Sequence, residues 1–122
     1  MNLVDSSAWL EYFDDGVHAK VFEDAIIDVH HLIVPAICLY EVYKRFLITQ
    51  SEDKALLAVA SMRQGRVVDL DAQLSFEAAH LSMKYRLPMA DSMILATAQR
   101  FEAVIWTKDA HFKNITNVKY FA

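Results

Sequence analysis

A chain of 122 residues that is 55% hydrophobic, with only two Gly and two Pro, has room for one domain with a real core and short connections. A single domain over residues 1–122 is therefore expected. No apolar run reaches the roughly 18 residues that span a bilayer, and Met1–Asp5 lacks the basic segment and cleavage site of a secretory signal. One cysteine, Cys38, excludes an internal disulfide, so the expected setting is the reducing cytoplasm. Sixteen acids against twelve bases give a net charge of −4, which is not that of a general nucleic-acid binder. Acids gathered for a metal would inflate the negative count, however, and RNA contact depends on a local patch rather than on the global sum.

In chain order, Leu3-Val4 predicts a short buried strand with Asp5 at its end. Ser6 or Ser7 can cap a helix beginning near Ala8, whose apolar side is Trp9, Leu10, Tyr12 and Phe13. The stripe Val21, Phe22, Ala25 and Ile26 predicts a second helix over 18–28. His30 and His31 fall on the surface before a second strand, Leu32-Ile33-Val34, which Pro35 ends. A helix from about Ala36 then packs along Ile37, Tyr40, Val42, Tyr43, Phe46 and Leu47, with Glu41 among apolar neighbours near its start.

Ser51-Glu52-Asp53 signals a helix through Leu56, Leu57, Val59, Ala60 and Met62 to Gly65, a residue suited to the position after a helix end. Val67-Val68 predicts a third strand, and Asp71 caps a helix containing Leu74, Phe76, Ala78, Ala79, Leu81 and Met83. Pro88 suits the first turn of the next helix, which places Asp91 close to its positive end. Ala103–Trp106 reads as a buried strand with Asp109 just beyond it, and residues 118–121 form a final strand. Strands alternating with helices predict an α/β fold, a mainly parallel central sheet flanked by helices.

Four acids share one topological position: Asp5, Glu41, Asp91 and Asp109 each follow a strand or begin the helix after it. A parallel sheet gathers such points at one edge, where ligands of open α/β sheets bind. Singly, Asp5 could be a plain helix cap and Asp109 a turn residue, but four carboxylates together repel unless cations neutralise them. Oxygen-only ligands favour a hard ion, Mg²⁺ or Mn²⁺. Ser7 and Thr107 lie beside this set and could position a carboxylate or a water. His80 and His111 lack ligand-spaced partners, which argues against zinc, and Cys38 reads as buried filling. Lys44, Arg45, Arg86, Arg100 and Lys108 are candidate phosphate contacts.

The motifs Val4-Asp5-Ser6-Ser7-Ala8, Tyr40-Glu41-Val42, Leu87-Pro88-Met89-Ala90-Asp91-Ser92-Met93-Ile94-Leu95-Ala96-Thr97-Ala98 and Thr107-Lys108-Asp109-Ala110-His111-Phe112, in this order, resemble the PIN-domain ribonucleases. The closest likeness is to the VapC-type toxins of toxin–antitoxin pairs, and it covers essentially the whole chain. The resemblance implies a PIN-like parallel sheet between helices and a metal-dependent endoribonuclease, the toxin of a type II pair. It further implies that Asp5, Glu41, Asp91 and Asp109 are the catalytic and metal-binding acids, with Ser7 and Thr107 in support. An antitoxin protein, an RNA substrate and a homodimer are the implied partners, and hydrolysis would leave a 5′-phosphate and a 3′-hydroxyl.

Three rivals compete with that reading. A phosphate-receiver domain needs an early adjacent acidic pair at a strand end, whereas Asp14-Asp15 follows a helix. A dehalogenase-type phosphatase wants an acid at the position of Ser7. A catalytically silent PIN-like module that only binds protein or RNA has no use for four converging acids. The aromatic groups Trp9, Tyr12, Phe13 and Tyr40, Tyr43, Phe46, with Leu47, exceed what one sheet can cover, and some are expected to line a groove leading to the acids, where an antitoxin segment would lie.

Overall fold

The computed structural model describes residues 1–122. Five strands form one sheet: β1 (Asn2–Val4), β2 (Leu32–Pro35), β3 (Arg66–Val68), β4 (Val104–Thr107) and β5 (Val118–Tyr120). Every pairing is parallel, in the order β3-β2-β1-β4-β5. Six helices connect them: α1 (Ser6–Phe13), α2 (Ala19–Ile26), α3 (Ala36–Thr49), α4 (Glu52–Met62), α5 (Ala72–Tyr85) and α6 (Met89–Arg100). The α/β architecture expected from the alternation is the one observed, and the sheet is wholly parallel.

The central strands are buried on both faces, so they read as plain apolar runs without alternation; Leu3, Val4, Ile33, Val34 and Ile105 are all essentially inaccessible. The chain builds β1, β2 and β3 in one direction and then returns to the far side of β1 for β4. That reversal leaves a crevice outside the carboxyl ends of β1 and β4, the usual place for a ligand in an open parallel sheet. Asp5 follows β1 and Asp109 lies just beyond β4, so both acids flank the crevice.

Local details depart from the sequence expectations. The first helix begins at Ser6, and its cap is Asp5, whose Oδ1 accepts from the Ala8 N–H at 3.1 Å, not either serine. Pro88 stands just before the first residue of α6, with extended backbone, rather than within the first turn. Gly65 is not left-handed; its role is close approach, since a Cβ there would lie 3.0 Å from the Leu32 carbonyl oxygen and side chain. The left-handed helix end belongs to Arg86, with φ of 56° after α5.

Burial also redistributes. On α4 the buried stripe is Ala55, Ala58 and Met62, leaving Leu56 and Leu57 exposed. Phe76 and Met83 on α5, and Tyr40 and Leu47 on α3, face solvent. Trp9 is wholly enclosed and stacks on Phe13 at 5.6 Å between ring centroids, so it is core and not groove lining. No helix is long and apolar enough to cross a membrane.

Candidate functional site

Asp5 is fixed from three directions. Its own N–H donates to the Trp106 carbonyl at 3.1 Å, which ties the end of β1 to β4. Its Oδ1 accepts from Ser7 Oγ at 2.6 Å as well as from the Ala8 amide, and its Oδ2 accepts from Thr107 Oγ1 at 2.7 Å. Ser7 Oγ in turn accepts from the Lys108 N–H, and Thr107 Oγ1 from the Asp109 N–H at 2.8 Å. Two hydroxyls therefore lock the start of α1 to the segment carrying Asp109. Burial nevertheless pushes the Asp5 carboxyl up to about 6, against the pull of these hydrogen bonds, with Asp109 adding a small repulsion.

Glu41 lies in the second turn of α3 and receives the Ser6 hydroxyl at 2.6 Å. Ser6 is itself nearly buried. Beneath it is Cys38, fully buried, whose thiol is pushed far up by desolvation and is therefore inert.

Asp91 projects from the first turn of α6, where the helix favours a negative charge. Desolvation, followed by repulsion from Asp109, raises its carboxyl to about 7. His111 Nδ1 sits 2.9 Å from Asp91 Oδ2 and 3.0 Å from Asp109 Oδ1, and the His111 backbone N–H donates to Asp109 Oδ1 at 2.9 Å. The ring's pKa is raised, first by Asp109 and then by Asp91. The sequence reading set His111 aside because no ligand-spaced partner is near it in the chain; its partners come from the strand-end turn and from α6. Ser6, read only as a cap, is the second group that reading missed.

All four acids line one cleft of about 300 Å³, in which Arg45 is the only basic residue and Leu10 and Ile94 are the apolar ones. A slightly larger groove of about 320 Å³, bordered by Phe13, Phe46 and Leu57, carries no acid, so the chemistry belongs to the smaller cleft. Of the other candidate phosphate contacts, Lys108 is bound to Glu11 at 3.1 Å and Arg100 to Asp71 at 2.9 Å. Arg86 is exposed at its helix end. Lys44 borders the groove adjoining the cleft.

The donor set suits a divalent cation. Oxygens of Asp91 and Asp109 and a ring nitrogen of His111 lie within 4.8 Å of one another, a spacing that small side-chain rotations close around one ion. Asp5 and Asp91 hold their charged forms at a cost that a cation would remove.

A doubly wound parallel sheet with clustered acids at its switch point defines a class, and the sequence places the chain within it. Residues 3–118 match the PIN domain, and the chain belongs to that family, whose members are generally nucleases. A sequence comparison with curated proteins finds no match. Among solved structures, a toxin–antitoxin complex from Klebsiella pneumoniae is similar with a TM-score of 0.82 and 21% identity, over 98% of this chain and 96% of that one. VapC20 of Mycobacterium tuberculosis, a toxin that cleaves the sarcin–ricin loop, gives 0.79 and 14%, over 97% of each chain. VapBC2 from Rickettsia felis, bound to a promoter DNA fragment, gives 0.76 and 12%, over 99% of this chain and 98% of that one. At these identities the likeness is one of fold.

Proposed function

We propose that the protein is a metal-dependent endoribonuclease, the toxin of a type II toxin–antitoxin pair, which hydrolyses RNA phosphodiester bonds in the carboxylate cleft. The observation that carries this reading is the convergence of Asp5, Glu41, Asp91 and Asp109, from four separate segments, on one cleft at the sheet's switch point. A module that merely binds has no physical reason to keep four mutually repelling acids together.

In this reading the four acids hold Mg²⁺ or Mn²⁺. Such an ion would supply a water of lowered pKa and positive charge for the leaving oxygen. The chain's own groups set the geometry. Ser7 and Thr107 hold the Asp5 carboxylate in one rotamer, and Ser6 does the same for Glu41. Leu10 and Ile94 form the apolar part of the cleft wall, while Arg45 offers its charge to the substrate's phosphate. No histidine is required as nucleophile. The products are a 5′-phosphate and a 3′-hydroxyl.

The neighbours crystallised as toxin–antitoxin complexes support an antitoxin as partner. The groove bordered by Phe13, Phe46 and Leu57 offers an apolar seat for its extended segment, and an Arg from it could replace the metal's charge against the acids. A homodimer and a cytoplasmic setting complete the proposal. The test is cleavage of total RNA by purified protein with Mg²⁺ or Mn²⁺, with EDTA, and by Asp5→Asn. Cleavage that survives both EDTA and the substitution rejects the mechanism.

A further inference from the structure

The carboxylate cleft does not end at Glu41. A second groove of about 260 Å³ continues from it along α3, walled by Tyr40, Glu41, Lys44, Arg45 and Ile48. Glu41 and Arg45 line both spaces, so the two adjoin across these side chains. Arg45 is one helical turn beyond Glu41, about 6 Å along the axis, and its side chain makes no ion pair or hydrogen bond. Lys44 has no acidic partner either; its Nζ lies 3.4 Å from the Tyr40 hydroxyl and 5.6 Å from the ring centroid. Tyr40 is 58% exposed and Ile48 71% exposed, and both are open apolar surfaces within this groove.

We infer that this groove is a binding subsite for single-stranded RNA next to the bond being cut, which deepens the nuclease reading above and rests on it. The charge order along the two grooves fits a polyanion held at a metal centre: acids where a cation would neutralise them, then two cations without acidic partners one turn away. Arg45 takes the phosphate adjoining the one at the carboxylates, and Lys44 takes the next. A base extruded from that strand stacks on the open ring of Tyr40 and against Ile48. Stacking on an exposed aromatic requires an unpaired base, because the faces of paired bases are already covered. Of the other cations the sequence offered, Lys108 and Arg100 are paired with Glu11 and Asp71, and Arg86 lines neither the cleft nor this groove, so the positive charge beside the cleft is that of α3. The chain's overall charge of −4 then serves against non-productive RNA binding and leaves one local patch for it.

The test uses the full chain and a fluorescein-labelled single-stranded RNA pool of random sequence. Affinity is read by anisotropy in EDTA over a salt series, and cleavage of the same pool is read in Mn²⁺ as separate kcat and KM. Arg45→Ala and Lys44→Ala are each expected to weaken binding and raise KM about tenfold, and to lower the salt slope by about one, with kcat within about twofold for Lys44→Ala. Tyr40→Ala is expected to weaken binding at least about fivefold without changing the salt slope. Lys20→Ala, an exposed cation on α2, is the charge-matched control and should bind as the wild type does. Wild-type affinity in Arg45→Ala and Lys44→Ala overturns the subsite, as does an equal loss in Lys20→Ala. A duplex bound as tightly as the single strand, with Tyr40→Ala silent, overturns it too. Selective loss of binding in the α3 variants, in a protein that cuts no RNA, would sink the nuclease reading while supporting the subsite.

Discussion

The two sides of the carboxylate cleft are built differently. On the side of Asp5 and Glu41, every carboxylate has a hydroxyl of its own: Ser7 and Thr107 for Asp5, Ser6 for Glu41. On the side of Asp91 and Asp109, two acids face each other and share one imidazole, that of His111. The first side is ordered by the fold before anything binds. The second is held in repulsion that a bound cation would relieve. In the proposed reading, placing the ligands falls to the first side and attracting the ion to the second.

The largest effect expected from this contrast is on the repelling side. Asp91→Asn should abolish metal-dependent cleavage, by about a hundredfold or more, since even second-sphere changes at metal sites commonly cost 10–100-fold. In EDTA the same variant should melt no lower than the wild type, because the amide relieves the repulsion with Asp109. Mn²⁺ should raise the melting temperature of the wild type by mass action and leave that of the variant almost unmoved. A substantially lower melting temperature in EDTA with activity retained would reverse the assignment.

The ordered side should respond in stability instead. Thr107 is fully buried, and Thr107→Val would strip Asp5 Oδ2 of its donor and the Asp109 N–H of its acceptor. The expected loss is about 2 kcal/mol, measured by urea unfolding in EDTA beside Asp91→Asn. Wild-type stability in Thr107→Val would erase the distinction between the two sides.

Acidity gives a third handle on the metal-free protein. Asp5 has a folded pKa of about 6 against an ordinary value of 3.8, so between those pH values the native state holds a proton that the unfolded chain has released. Stability therefore rises as pH falls from 7 towards 5, by about 1 kcal/mol from Asp5 alone. Asp91, raised to about 7, and His111, also raised, act with the same sign. Denaturant unfolding at pH 7, 6 and 5 in EDTA reads the trend, and Asp5→Asn should make it shallower while leaving the share of Asp91 and His111. Saturating Mn²⁺ at pH 7 should replace the proton's effect, and a metal-free protein most stable at pH 7 would contradict the burial cost assigned to these acids.

What the sequence showed and hid follows from the range of each interaction. The parallel sheet was legible because Leu3-Val4, Leu32–Val34 and Ala103–Trp106 are short apolar runs separated by helical stripes, and a strand buried on both faces must look that way. The clustering of the four acids was legible from topology alone, since a parallel sheet brings strand ends to one edge. The partner of each acid was not. Ser6 meets Glu41 across 35 residues and His111 meets Asp91 across 20, and no local pattern encodes either. Asp5 reads in the sequence as either cap or functional acid; it caps α1 through Oδ1 and also lines the cleft, so the cap does not exclude the second reading. The exposure of Leu57 and Phe76 was hidden for another reason: apolar residues all round a helix do not say which side the neighbouring helix covers.

The smallest effect tests whether order on the Asp5–Glu41 side matters to metal at all. Ser6 supplies the hydroxyl bound to Glu41, and Glu41 is only half-buried, so Ser6→Ala leaves a carboxylate that can find water and swing away. Little stability is then lost, but the ligand must be reordered whenever an ion binds. One hydrogen bond to a charged group is worth about 1 kcal/mol in such a setting, which corresponds to a few-fold weaker affinity for Mn²⁺ by calorimetry. Cleavage should fall by the same factor at limiting Mn²⁺ and recover at saturating Mn²⁺, whereas loss of a direct ligand would not be rescued. Ser6→Thr keeps the hydroxyl and should restore affinity. Unchanged Mn²⁺ affinity in Ser6→Ala would mean that Glu41 is held by the α3 backbone alone, and that the hydroxyl's 2.6 Å contact serves packing above Cys38 and not the cleft.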